Sequence, residues 1–124
     1  MLKRNLVIAI LLLLATVAGA HAATLTTAPF PGFTFETGSA SCNVANFGTK
    51  PGTVKMELLG TNGGVLETDG PFTLLPGNAR QGTPAGLAFS SAATCRITVP
   101  SKTRYRGSFS FINGDAPPTV IPAQ

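Results

Sequence analysis

Acid–base and nucleophilic chemistry near neutral pH draws first on histidine and cysteine. This chain has one histidine and two cysteines. His21 stands just before the expected cleavage point of an N-terminal export signal, so the processed chain would carry no imidazole. Serines and threonines are plentiful, but a hydroxyl nucleophile needs a base to activate it. Ser101 and Lys102 are adjacent, and adjacent residues in a turn do not normally converge. Glu57, Glu67 and Asp69 are the carboxylates to weigh for paired acid–base work. Glu57 is expected on the outward face of a strand, and Glu67 and Asp69 beside a turn, where such groups are usually solvated. Zinc would find neither histidine nor a cysteine cluster. Glu67-x-Asp69 is too sparse for calcium. The expectation is no catalytic residue, no metal site, no cofactor and no enzymatic activity.

Two features remain as candidate sites. Cys42 and Cys95 each lie in an alternating apolar segment of a chain expected to be exported, so they are expected to pair as a disulfide, with free buried thiols as the alternative. Closing a loop of that length contributes about 4 kcal/mol in the chain-entropy view. The second feature is basic. Arg96, Arg104 and Arg106 share the outward parity of two strands expected to form a hairpin, with Lys102 at its tip. Such a stripe would meet an unknown partner protein or an anionic surface, either acidic glycan or lipid head groups. The alternative is solubilising charge that guards a sheet edge.

The elements that must position these residues follow from patterning. Lys3 and Arg4, the apolar run Leu6–Val17 and the small residues of Ala20-His21-Ala22 read as a signal peptide over residues 1–22, cut before Ala23. The rival reading is a retained anchor, but Leu6–Ala20 spans 15 residues where a spanning helix needs about 18–20. After cleavage the chain is not expected to be membrane-integral. Seven basic residues then face five acidic ones, too weak a balance to indicate nucleic acid.

The remaining chain, one domain of about 100 residues, is poor in charge and rich in Gly and Pro, which suits short strands and many turns. Strands are expected at Gly32–Thr37, Ala40–Phe47, Thr53–Leu59, Val65–Thr68, Phe72–Leu75, Leu87–Ser90, Ala93–Val99 and Arg104–Ile112, with Ala79–Gly86 as loop. Cys95, Ile97 and Val99, then Tyr105, Gly107, Phe109 and Phe111, are the inward sets of the last two. Equal parity in a hairpin requires an odd loop. Phe30, Phe33 and Phe35 would plug the open end of a core or form a contact patch. A sandwich domain is expected over 23–113, followed by a mobile Pro-rich tail over 114–124.

Val44-x-Asn46-x-Gly48, Pro51, Val54-x-Met56-x-Leu58 and Leu75-Pro76-Gly77, with Cys42 two residues before Val44 and a late Cys95-Arg96-Ile97, resemble the pattern of bacterial extracellular immunoglobulin-like modules. The resemblance spans about Ser41–Phe111. It implies an all-β, immunoglobulin-like β-sandwich of about seven short antiparallel strands, in the periplasm or outside the cell. It carries no shared catalytic residue. The functional expectation is a non-catalytic binding or structural module. The alternative is a subunit or accessory protein of a cell-surface assembly, joined by β-strand addition through an exposed edge or the tail.

Overall fold

The computed structural model describes residues 21–29, 39–82, 92–112 and 118–124. They form eight strands: β1 (Ala23–Thr26), β2 (Ser39–Asn46), β3 (Gly52–Gly60), β4 (Val65–Leu74), β5 (Ala79–Gln81), β6 (Ala92–Val99), β7 (Tyr105–Ile112) and β8 (Thr119–Pro122). All pairings are antiparallel, in two four-stranded sheets ordered β1-β6-β3-β4 and β5-β2-β7-β8. No helix among the described residues is long and apolar enough to cross a membrane.

Period-two alternation builds this arrangement. On β3, Val54, Met56 and Leu58 are buried, and on β6 so are Cys95, Ile97 and Val99. On β7 the buried set is Tyr105, Gly107, Phe109 and Phe111. Facing rows from the two sheets make one core, with Phe109, Met56 and Ile97 among its fully buried members. The Cys42–Cys95 disulfide joins β2 of one sheet to β6 of the other across a Cα separation of 5.7 Å. Gly52 and Gly107 allow close approach: a Cβ on Gly52 would strike the Tyr105 hydroxyl, and one on Gly107 would lie 2.5 Å from Ile97 Cδ1.

Both seams between the sheets are tied. On one side Thr26 and Gln124 exchange backbone hydrogen bonds of 3.1 and 3.2 Å. On the other, Arg80 of β5 reaches Asp69 of β4 through Nε (3.1 Å) and Nη2 (2.9 Å), and lies 4.1 Å from the centroid of the Phe72 ring. A planar guanidinium suits this double use.

The structure departs from the expected elements at five places. The connection from β6 to β7 crosses between sheets, so the expected hairpin does not form: β6 pairs β1 and β3, while β7 pairs β2 and β8. Parity could not distinguish the two cases. A crossing connection aims both apolar faces into the core as well as a hairpin does. The strands expected at Val65–Thr68 and Phe72–Leu75 are one, β4, which ends at Leu74. Gly70 (φ +106°) and Pro71 are absorbed where the register shifts between Val54 and Met56. An edge strand tolerates a proline at such a bulge. Part of the expected loop 79–86 is β5, paired with β2. Ala23–Thr26, too short to stand out by pattern, is β1. The C-terminal segment expected as a mobile tail supplies β8, which pairs β7 from Ser108 to Phe111 and packs Ile121 and Ala123 against the core. Gly32–Thr37, the three phenylalanines at 30, 33 and 35, Leu87–Ser90 and nearly all of the expected signal lie outside the described residues.

Candidate functional site

The arginines expected to share one stripe are divided by the topology. Arg96 projects from the outer face of the first sheet, and Arg106 from the outer face of the second. Arg96 is also committed locally. Its Nε donates to Glu57 Oε2 at 2.8 Å, and Lys55 Nζ lies 2.9 Å from Glu57 Oε1. Glu57 is buried on the sheet face, 7% exposed. The hydrogen bonds from Arg96 and then Lys55 hold its carboxyl below the ordinary glutamate range, against the opposing effect of burial. Glu57 in turn raises Arg96.

Glu67 and Asp69 stand opposite the inward Leu58 and Met56, so they point toward the seam rather than flanking a turn. With Cys42 and Gly82 they line a gap of about 10 Å³, no larger than one water. Inward charge on an edge strand opposes edge-to-edge pairing. The Ser101 hydroxyl hydrogen-bonds the Thr103 hydroxyl at 2.9 Å.

The other cations share one place. Antiparallel pairing brings the loops 47–51, 75–78 and 100–104 to the same end of the molecule: Gly52 stands opposite Leu74, and Lys55 opposite Thr98. Lys50, Lys102, Arg104 and Arg106 are all exposed at this end. None has a carboxylate partner among the described residues, whereas Lys55, Arg80 and Arg96 are each ion-paired on the strands. Lys50 and Arg104 line one hollow of about 210 Å³, with Asn46, Ser101 and Tyr105. Arg106 folds back so that Nη1 donates to the backbone carbonyls of Tyr105 (3.0 Å) and Lys102 (3.2 Å), which leaves its charge uncompensated. Phe47 and Leu75 are exposed in the same loops, at 71% and 52%. Phe47 borders the same shallow groove as Arg106.

Asn46 holds this end together. It is 1% exposed. Its Nδ2 donates to the carbonyls of Lys50 (2.9 Å) and Leu74 (3.0 Å), and its Oδ1 accepts from Gly48 N (2.9 Å) in an Asx turn. Its backbone N–H bonds the Asn78 carbonyl, and its carbonyl accepts from Gly77 N at 2.8 Å. Gly77 has φ +75°, the left-handed conformation that glycine adopts without penalty. The third loop joins through Phe47 N donating to Arg104 O at 2.8 Å.

The structure thus joins Lys102, Arg104 and Arg106 at one end, removes Arg96 from the group and adds Lys50. Nothing in the local sequence groups Lys50 with the others, because it sits among turn residues, Gly48 to Gly52, far from them in the chain. A signal was present nonetheless. Asn46-x-Gly48 and Leu75-Pro76-Gly77, two parts of the resembled pattern, hydrogen-bond to each other and build this end.

Comparisons of the chain with protein-family models, with curated proteins and with solved structures give no match.

Proposed function

We propose that this chain is an exported, non-catalytic binding module, immunoglobulin-like in general plan, that contacts an anionic surface through its cationic loop end. The observation that carries this reading is the sorting of charge. Four exposed cations with no carboxylate partner among the described residues converge from two loops and the start of one strand, while Lys55, Arg80 and Arg96 are ion-paired on the strands. Unneutralised charge of one sign on a single face attracts its opposite over about a Debye length. Export is supported by the signal-like residues 1–22 and by a disulfide, which persists in oxidising compartments. Cleavage before Ala23 would leave all eight strands intact.

The test is retention on an immobilised sulfated polyanion at low and physiological salt. Replacing Lys50, Lys102, Arg104 and Arg106 together by glutamine should abolish retention. The Lys55→Gln variant, which removes a cation from the sheet face, should behave as wild type. Equal retention of the four-site variant would refute the loop end as the contact surface. Intact mass of protein recovered from exporting cells should begin at Ala23 and be two hydrogens light.

A further inference from the structure

Resting on that reading, we infer that the surface met by the loop end is a lipid bilayer rich in acidic headgroups, with Phe47 and Leu75 seated at the boundary between headgroups and acyl chains. Charge alone would suit any polyanion. The two large apolar side chains among the cations select among them. Phe47 is 71% exposed and Leu75 52%, both beside the Asn46 hub that holds them at the tip. A soluble acidic polymer offers such groups no apolar phase. A bilayer interface takes them in while the cations remain with the headgroups.

The path of the chain agrees. Ala23 stands opposite Val99, and Ala22 lines a hollow together with Pro51, Gly52 and Pro100, so the chain enters the first strand from this same end. Cleavage before Ala23 would add an α-ammonium there. The apolar tip, the cations and the start of the first strand thus all lie on one pole.

The chain contains no tryptophan, so Phe47→Trp places a single emission reporter at the tip. The experiment uses Ala23–Gln124, which holds all eight strands, the described core and the disulfide. This chain is titrated with vesicles of phosphatidylcholine alone and of phosphatidylcholine with phosphatidylglycerol. The expected result is a blue shift, and quenching by brominated acyl chains, with the acidic vesicles only, weakening as salt rises. On the scale of about fivefold per cation near an acidic surface, the four-site glutamine variant should lose more than a hundredfold in partition. Leu75→Ser should lose about fivefold on vesicles and nothing on the sulfated polyanion.

Retention on the polyanion without vesicle binding, or vesicle binding without blue shift and quenching, would overturn the bilayer and leave the anionic-surface reading standing. Binding to neither surface, or binding indifferent to the four cations, would overturn both. Far-ultraviolet circular dichroism and the mass of the intact disulfide establish that each variant is folded.

Discussion

Single residues govern two measurable properties. Glu57 is buried between Lys55 and Arg96, and its folded-state pKa is depressed. A depressed carboxylate contributes stability above its unfolded pKa and loses that contribution as pH falls through the folded value. The unfolding free energy should therefore decline as pH drops below the ordinary glutamate range. Glu57→Gln should remove that part of the decline. At neutral pH the same substitution should cost about 1 kcal/mol, because the Lys55 and Arg96 side chains, each 42% exposed, leave the cluster screened by water. Urea titrations of both proteins across acidic pH would check both expectations. Asn46→Ala withdraws a donor from two carbonyls and the acceptor of an Asx turn, and should cost about 2 kcal/mol. Hydrogen exchange in the loops 47–51 and 75–78 should accelerate with it, since the hub ties both together.

At the level of elements, the two devices that close the sandwich are separable. Replacing Cys42 and Cys95 together by alanine removes a crosslink spanning 53 residues. The loss should be about 4 kcal/mol, read from the urea midpoint at constant slope. The last strand, β8, is not an appendage: it covers β7 and brings Ile121 to the core. Ile121→Ala should cost about 2 kcal/mol, toward the low end for an aliphatic truncation because the side chain is only half-buried. Deleting residues 119–124 should destabilise the domain far more, by baring the β7 edge. A truncated chain with unchanged thermal stability would show that β8 is dispensable. In this fold the segment considered as a strand donor is already paired within its own chain.

For the whole molecule, polarity is the governing feature. Lys55, Arg80 and Arg96 on the strands are ion-paired with Glu57 or Asp69, and one pole holds four cations with no carboxylate partner among the described residues. Any binding at that pole should weaken as ionic strength rises, most steeply once the Debye length falls below about 10 Å near 0.1 M salt. Substitutions on the outer face of the first sheet, at Lys55 or Arg96, should leave that salt dependence unchanged. Reversing Lys102 to glutamate at the exposed tip should flatten it without shifting the thermal midpoint beyond what surface changes usually produce.

Much of this was legible in the sequence, because local patterns record which face of a strand is buried. The alternation at Cys42–Val44, Val54–Leu58, Cys95–Val99 and Tyr105–Phe111 determines an all-β chain. It also aims both cysteines into one core, where they meet. What alternation does not record is which strand lies beside which. Arg96 and Arg106 keep the same outward parity in a hairpin and in a crossing connection, yet the first makes them neighbours and the second puts them on opposite faces. Only the tertiary arrangement decides between these, through long-range pairings such as Ala23 with Val99 and Cys42 with Phe109. Lys50 joins Arg104 for the same reason: antiparallel strands return distant turns to one end, and their neighbourhood there is a property of the packed sheets rather than of any stretch of chain.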